Sequence, residues 1–231
     1  MCGRFAAGHL TQRQMLAIME HFLYGKSLPE GILLPAPEAG YNIKPTQQVQ
    51  MVIDQEGAPV SLGARWWLVL HWHRGAAKDW KATTFNTKIE TAHEKPAFRT
   101  AWREHRCVIP ALAYYEWTGP KGKKQPWYVT VERNIPVMFF AGLYACLPSG
   151  SRSCTILTRP AIREIKHLHP RMPVILSPGR ALSWLQKADY DDVVAADYGS
   201  DWQGRIKHHQ VRPFGRDDDG PELIEPYGLA V

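Results

Sequence analysis

Seven short strand-like runs constrain the fold of this sequence more than any other feature. Each run is rich in β-branched and aromatic residues, and turn-forming residues separate it from the next. Such a series, flanked by a few helical patterns, favours one α+β domain built mainly on antiparallel strands. The runs span residues 49–53, 61–67, 107–109, 114–117, 127–131, 137–144 and 154–157.

Three segments carry a helical pattern, and they begin near Thr11, Pro96 and Ser177. Thr11 and Ser177 are typical helix caps, and a proline follows Ser177 at the first helical position. In the first segment Met15, Ile18, Met19 and Phe22 share one face, and the second carries Phe98 and Trp102 on its inner face. The third runs through Leu182 and Leu185. The expected loops are 29–40, a basic hairpin loop at 119–124 and a polar surface loop at 212–219.

Bulk composition is that of an ordinary soluble protein. The chain has 231 residues, of which 45% are hydrophobic and 22% charged, and we expect a single domain over residues 1–231. No apolar run approaches the roughly 20 residues that span a bilayer, and the N-terminus lacks the apolar core of a secretory signal. We therefore expect a cytoplasmic monomer without a membrane partner. The net charge of +6, with nine Trp and nine Tyr, suits a polyanion with unpaired bases.

Four cysteines are scattered without a Cys-x-x-Cys pair, so we expect reduced thiols, no metal and no cofactor. Cys107, Cys146 and Cys154 adjoin apolar runs and are predicted to be buried. Cys2 differs because removal of Met1 would leave an amine and a thiol on one residue. An α-amine titrates near 7.7–8.0, about 2.5 pH units below a lysine, so a useful fraction is neutral and nucleophilic. That amine can form a Schiff base with an aldehyde, and the thiol can then close a thiazolidine ring.

Three further residues carry chemistry in their sequence context, although each has an ordinary structural explanation. Glu116 lies among aromatics, where burial would raise its pKa and suit it to proton transfer; it could instead be an exposed strand position. His169 lies in a proline-rich turn beside Arg171, so it could act as an acid or base near neutral pH, whereas the nearby His167 is expected to be a surface residue. Asn86 could orient an amine or a sugar hydroxyl, or simply end a strand.

Ordered sequence blocks along nearly the whole chain resemble one family. They are Cys-Gly-Arg-Phe at 2–5, Tyr-Asn-Ile-Lys-Pro at 41–45, Arg-Trp at 65–66, Asn-Thr-Lys-Ile-Glu-Thr at 86–91, Glu-Lys-Pro-Ala-Phe at 94–98, Arg-Cys-Val-Ile-Pro-Ala at 106–111, Tyr-Glu-Trp at 115–117, Lys-Gln-Pro at 124–126, Thr-Ile-Leu-Thr at 155–158, His-Pro-Arg-Met-Pro at 169–173 and Pro-Glu-Leu-Ile-Glu-Pro at 221–226. Together they are similar to the SOS-response-associated peptidase (SRAP) family of abasic-site processing proteins.

The resemblance implies a mainly antiparallel, barrel-like β-core with flanking helices, and it implies residue roles. It implies a covalent thiazolidine crosslink between Cys2 and the opened sugar of an abasic site in single-stranded DNA, including single-strand/double-strand junctions. The crosslink would shield the lesion. It also implies peptidase (hydrolase) or lyase-type activity in DNA repair and in the SOS response, and association with the nucleoid when the protein is bound to DNA. The implied catalytic residues are Cys2, Asn86, Glu116 and His169, and the implied DNA-binding residues are Arg4, Asn42, Trp72, Lys88 and Arg171.

The sequence departs from the family pattern at a few positions. Trp67 and Leu70 replace a glycine and a proline, Leu112 and Ala113 replace an Asp-Gly pair, and Lys88 stands where arginine is common. Phe214-Gly215 stands where the family often has asparagine. None of these removes a candidate catalytic residue, so we expect them to affect affinity and loop shape. Two other functions stay open from the residues alone: an N-terminal-cysteine amidohydrolase or peptidase, and a non-catalytic single-stranded DNA-binding module.

Overall fold

A computed structural model describes residues 3–8, 40–132, 137–187 and 202–228. Cys2, the predicted helix at Thr11 and nearly all of the predicted loop 29–40 lie outside the described residues. Within them, no helix is both long and apolar enough to cross a membrane.

Strands dominate the described part of the chain, and all seven predicted runs are confirmed. Two residues predicted as strand lie just outside one. Val137 directly precedes the strand that begins at Met138, and Trp67 follows the strand that ends at Trp66, because its N–H donates to the Arg65 carbonyl in a tight turn, 2.9 Å away. The strands are β1 (Phe5–Ala6), β2 (Gln48–Gln55), β3 (Ala58–Trp66), β4 (Asn86–Lys88), β5 (Arg106–Ala111), β6 (Ala113–Thr118), β7 (Gln125–Val131), β8 (Met138–Cys146), β9 (Arg152–Pro160), β10 (Arg171–Pro173), β11 (Ile175–Leu176) and β12 (Ile206–Gln210).

The larger sheet closes on itself. Its strands pair in the order β9, β3, β2, β5 and β8, and β8 pairs again with β9. All of these pairings are antiparallel except that of β3 with β9. Strand β4 adds to β9, while β10 and β11 fill the place where β8 and β9 diverge. This ring is the barrel-like core expected from the resemblance.

A second, four-stranded sheet has the order β1, β6, β7 and β12. Leu112 is the only residue between β5 of the ring and β6 of this sheet, so the two sheets are connected almost directly. The loop at 119–124 joins β6 to β7 and confirms the predicted hairpin. Gly119 has φ +89°, and a Cβ there would lie 2.7 Å from the Lys123 carbonyl oxygen. The tight turn therefore requires glycine at this position.

Alternating side chains of the ring strands divide the core into two clusters. In β5, Cys107 and Ile109 face one cluster and Val108 faces the other. The first cluster joins the ring to the second sheet. The second joins the ring to the helices. A strand that is covered on both faces contributes alternate side chains to two separate clusters.

The described helices are short and pack on the ring: α1 (Ile89–Ala92), α2 (Arg99–Glu104) and α3 (Pro178–Leu185), with 3₁₀ turns at Ala77–Asp79 and Pro221–Ile224. The predicted helix near Pro96 begins only at Arg99, because the preceding residues form a turn closed by the Phe98 N–H on the Lys95 carbonyl. Phe98 and Trp102 are buried as predicted. Ser177 and Pro178 begin α3 as predicted, but without a side-chain cap hydrogen bond.

Two of the three cysteines predicted to be buried are buried. Cys107 and Cys154 lie in the core, but the prediction for Cys146 is wrong, because its side chain is exposed. Cys146 is the last residue of β8, and the following Leu147 takes the buried position at this end of the hairpin.

Candidate active site

The first described residues run beside the strand that carries Glu116. Phe5 lies opposite Tyr114 in the pairing of β1 with β6, and the Tyr115 N–H donates to the Arg4 carbonyl at 3.0 Å. Continuing this antiparallel register by one residue places Gly3 opposite Glu116. Cys2 precedes Gly3 in the sequence and lies outside the described residues.

Glu116 is a buried carboxyl group on the same face of β6 as Tyr114, whose ring meets that of Phe140 of the ring strand β8. It is 6% exposed and lies opposite Trp127 of β7. Burial disfavours its charged form and raises its pKa to about 7. Of the two explanations left open by the sequence, the exposed strand position is thereby excluded. A carboxyl with this pKa can donate or accept a proton at neutral pH.

His169 is held by the backbone of Arg171 two residues later. The Arg171 N–H donates to His169 Nδ1 at 2.9 Å, and the Arg171 carbonyl lies 3.0 Å from the same nitrogen. In the neutral ring Nδ1 accepts and the proton resides on Nε2, whereas a protonated ring can donate from Nδ1 to the carbonyl. Partial burial, together with the charge of Arg171, lowers the pKa of His169. His167 is exposed, as predicted.

Asn86 and Lys88 lie on β4, at the edge of the ring. Asn86 pairs with Ile156 and Lys88 with Thr158 of β9. As alternate residues of one strand they share a face, and Asn86 is half-buried while Lys88 is exposed.

Arg171 connects the segment of Asn86 with the segment of His169. Its guanidinium donates to both carboxylate oxygens of Glu90, at 2.6 and 2.9 Å, and to the Thr158 carbonyl at 2.6 Å. Thr158 in turn donates its hydroxyl to the Thr87 carbonyl, 3.1 Å away. Asn86 and His169 are therefore brought to the same end of β9, from its two sides.

Arg4 and Asn42 hold the segment 214–219, which we call the C-terminal strap. Arg4 Nη1 donates to the Gly215 carbonyl at 2.7 Å, and Asn42 Nδ2 donates to the carbonyls of Gly215 at 3.2 Å and Asp218 at 2.6 Å. The Arg4 guanidinium also lies over the ring of Phe214, 5.5 Å from its centroid. The polar surface loop predicted at 212–219 is confirmed, since this segment has no helix or strand and residues 215–219 are exposed. Two residues expected to contact DNA anchor this loop.

Trp72 is the most exposed large aromatic residue in the described part of the chain, at 56%. Its ring meets the edge of Trp80 at 5.5 Å, and it borders a shallow groove that Leu70, His105 and Tyr144 also line. A partly exposed tryptophan on a fixed neighbour is suited to stacking against a base.

Three of the residues that depart from the family pattern make hydrogen bonds or packing contacts inside the protein. Trp67 donates its indole N–H to the Ala82 carbonyl at 2.8 Å. The side chain of Leu112 lies against Gly8, where a Cβ would come within 2.4 Å of it. Phe214 packs against Tyr115, with ring centroids 5.0 Å apart. The altered residues thus fix loop shape near the N-terminal strand and the segment that leads to Asn86.

Sequence reasoning missed Glu90, Thr158 and the strap as parts of the site. Glu90 and Thr158 lie inside blocks that support the family resemblance, but their partner Arg171 is 81 and 13 residues away in the chain. The signal available in the sequence was that one of these blocks contains a carboxylate and another contains an arginine, which could form an ion pair.

The chain is an α+β protein with a closed, barrel-like sheet, and it carries a buried carboxyl of raised pKa on the second sheet and a backbone-held imidazole just before β10. The chain belongs to the SOS response associated peptidase (SRAP) family, whose model matches residues 1–213. It is 32% identical to the abasic site processing protein YoqW of Bacillus subtilis over 98% of this chain and all of the relative. It is 24% identical to the abasic site processing protein HMCES of Gallus gallus, over all of this chain and 79% of the relative.

Solved structures have the same fold. A protein from Bordetella bronchiseptica matches with a TM-score of 0.66 at 23% identity, over 92% of this chain and 100% of that one. A protein from Bacteroides thetaiotaomicron also matches with a TM-score of 0.66, at 21% identity, over 81% of this chain and 85% of that one.

Proposed function

We propose that this protein processes abasic sites in single-stranded DNA by forming a thiazolidine crosslink between Cys2 and the opened sugar. The names of its relatives support a role at abasic sites. The observation that carries the proposal is the buried Glu116 carboxyl, with a pKa of about 7, on the strand that runs beside Gly3. A proton donor and acceptor beside the residue that follows Cys2 is what condensation of an amine with an aldehyde requires.

The proposed chemistry has three steps after hydrolysis removes Met1. The Cys2 amine adds to the C1′ aldehyde of the open sugar and gives a carbinolamine. Loss of water gives the imine, and addition of the Cys2 Sγ to the imine carbon, with return of one proton to nitrogen, closes the thiazolidine. The product has no aldehyde left, so β-elimination of the neighbouring phosphate is prevented. Removal of Met1 is the peptidase activity that the proposal requires.

Three side chains would support these steps. Glu116 would take a proton from the attacking amine and return it to the departing hydroxyl, because its pKa lies near the working pH. His169 in its protonated form would act as the acid that opens the deoxyribose ring. Asn86 would orient the amine through its amide.

Two kinds of residue would contact the DNA strand: exposed residues, and residues whose side chains already hydrogen-bond within the protein. Lys88 and Trp72 are exposed and would contact a phosphate and a base. The side chains of Arg4, Asn42 and Arg171 donate hydrogen bonds to other parts of the protein. We propose that they bind the DNA from those positions, including at single-strand/double-strand junctions.

A denaturing gel tests the proposal. Protein with Met1 confirmed absent by mass spectrometry is mixed with a single-stranded oligonucleotide that carries one abasic site. We expect a shifted band that survives heating. It should disappear with the undamaged oligonucleotide and with Cys2→Ala, while Cys146→Ala, which removes an exposed thiol instead, should leave it intact.

Three results would contradict parts of the proposal. Equal crosslinking by wild type and Cys2→Ala would remove Cys2 as the nucleophile. A missing band, together with turnover of a peptide by catalytic amounts of protein, would favour the amidohydrolase instead. Salt-sensitive binding that ignores the lesion would favour a plain single-stranded DNA-binding module.

A further inference from the structure

Glu90 forms a two-point ion pair with Arg171 that the chemistry proposed above does not use. The two Nη–Oε distances are 2.6 and 2.9 Å, and the side chains are 40% and 16% exposed. The parallel, bidentate geometry fixes the guanidinium plane more strongly than a single contact would. Although partial burial alone would raise it, the hydrogen bonds from Arg171 and the helix backbone lower the pKa of Glu90. The carboxylate is therefore charged at neutral pH.

The backbone of the same arginine holds His169. The Arg171 N–H and carbonyl both face His169 Nδ1, within 2.9 and 3.0 Å. The Arg171 backbone is held by the pairing of β10 with β9, in which Arg171 lies opposite Pro160, and its side chain is anchored on Glu90 and Thr158. The side-chain anchors add to the strand pairing at the edge of the sheet, so their loss would let Arg171 and the imidazole that it holds move more freely.

We infer that Glu90 is a positioning residue for His169 and acts through Arg171. Its carboxylate fixes the guanidinium against β9, the Arg171 backbone then fixes the tautomer and direction of the imidazole, and its negative charge offsets the positive charge beside the ring. The inference deepens the proposed function and rests on it for the role of His169 as an acid.

The charge and the geometry make separate predictions. Arg171 is a positive charge near His169, and Glu90 partly neutralises it; Lys88, on the adjoining strand, adds positive charge to the same region. Loss of the Glu90 charge therefore leaves the protonated imidazole less stable. A residue that merely stabilised the fold would not change the pH at which His169 titrates.

Glu90→Gln is the test, because it keeps the side-chain shape and removes the charge. We expect crosslinking roughly three- to tenfold slower than wild type at pH 7.5 and a clearly smaller difference at pH 5.5, because a larger fraction of His169 is then protonated in both proteins. The matched control is Glu222→Gln, which breaks the exposed Arg212–Glu222 pair at 2.8 Å. It should leave the ratio near one at both pH values. A ratio for Glu90→Gln that is the same at both pH values would overturn the inference.

A double-mutant cycle tests whether Glu90 acts through Arg171. In an Arg171→Met background, Glu90→Gln should have little further effect on the rate, because the intermediary is already absent. Additive losses would mean that Glu90 acts by another route, and the inference would fail.

NMR titration of the His169 ring in the free protein keeps the inference testable without the crosslink. The ring should titrate at lower pH in Glu90→Gln than in wild type, and the neutral ring of the wild type should carry its proton on Nε2. An unchanged titration would overturn the role of Glu90. Absence of crosslinking by wild type, with the titration shifted as expected, would instead contradict the proposed function alone.

Discussion

At the scale of single residues, the protonation of Glu116 has a consequence for stability. Burial raises its pKa from 4.5 to about 7, so the folded state binds this proton more tightly than the unfolded chain does. The stabilisation is fully present below about pH 4.5 and is lost as pH rises towards 7 and beyond. A shift of this size corresponds to at most about 3 kcal/mol.

Glu116→Gln should therefore become more stable relative to wild type as pH rises. We expect the difference in the free energy of unfolding to change by about 2 kcal/mol in favour of the variant between pH 4.5 and pH 8. Urea denaturation across this range measures it. Glu132→Gln, which changes an exposed glutamate paired with Lys207, should show no comparable trend. A flat difference for Glu116→Gln would mean that the carboxylate is well solvated.

Residue chemistry was predictable where the local sequence made a side chain unusual. Glu116 among aromatics and His169 in a proline-rich turn were recognised in this way, and the structure gives both a perturbed pKa. The function of Arg171 was harder to predict, because a guanidinium suits a phosphate and a carboxylate equally. Only the fold brings Glu90 to it across 81 residues of sequence.

At the scale of elements, the C-terminal strap and strand β1 stabilise each other. Asn42, which is 2% exposed, donates from one amide to three strap carbonyls, those of Gly215, Arg216 and Asp218. The next residue, Ile43, pairs with Phe5 of β1 through two backbone hydrogen bonds of 2.9 and 3.1 Å. Loosening of the strap should therefore reach the strand that leads to Cys2.

Asn42→Ala should lower the free energy of unfolding by about 2 kcal/mol, because three part-buried strap carbonyls lose their donor. Hydrogen exchange at the Phe5 and Ile43 amides should accelerate as well. Asp217→Ala, an exposed change in the same strap, is the control and should alter neither. If Asn42→Ala weakens DNA binding while stability and exchange are unchanged, Asn42 is a direct DNA contact and not an anchor of the strap.

Most of the longer strands were predictable. The seven strand runs had enough apolar residues to be recognised, whereas β1, β4, β10 and β11 have three residues or fewer, and the five residues of β12, Ile-Lys-His-His-Gln, include a single apolar one. The start of α2 was placed three residues early, because the pattern does not show that residues 96–98 form a turn. Cys146 was placed inside because an apolar neighbourhood does not show where a strand leaves the core.

At the scale of the whole molecule, the closed ring depends on contacts that no local pattern contains. Closure requires β9 to pair with β8 on one side and, in parallel, with β3 on the other, nearly ninety residues earlier: Arg65 lies opposite Ser153. The sequence therefore indicated an α+β class and antiparallel strands. The barrel-like arrangement came from the resemblance to a family.

The net charge of +6 predicts how DNA binding responds to salt. Before the covalent step, basic side chains that neutralise DNA phosphates release the counterions bound to the DNA, and each neutralised phosphate of a single strand contributes about −0.7 to the slope of log K against log salt. Lys88 is exposed on β4, two residues from Asn86. Lys88→Gln should thus weaken binding of an undamaged oligonucleotide and reduce the magnitude of the slope by about 0.7.

Lys207→Gln is the matched control, because Lys207, on the edge strand β12, is exposed but forms an ion pair with Glu132. Fluorescence anisotropy at several salt concentrations measures the slopes, and the control should keep that of the wild type. The crosslink formed at low salt should resist later addition of salt, because a covalent bond has no counterion dependence, while its rate of formation at limiting protein should fall with salt. An unchanged slope for Lys88→Gln would show that the DNA strand does not pass β4. The exposed cations Arg74, Lys78 and Lys81, in the segment that carries Trp72, would then be the next positions at which to test where the DNA lies.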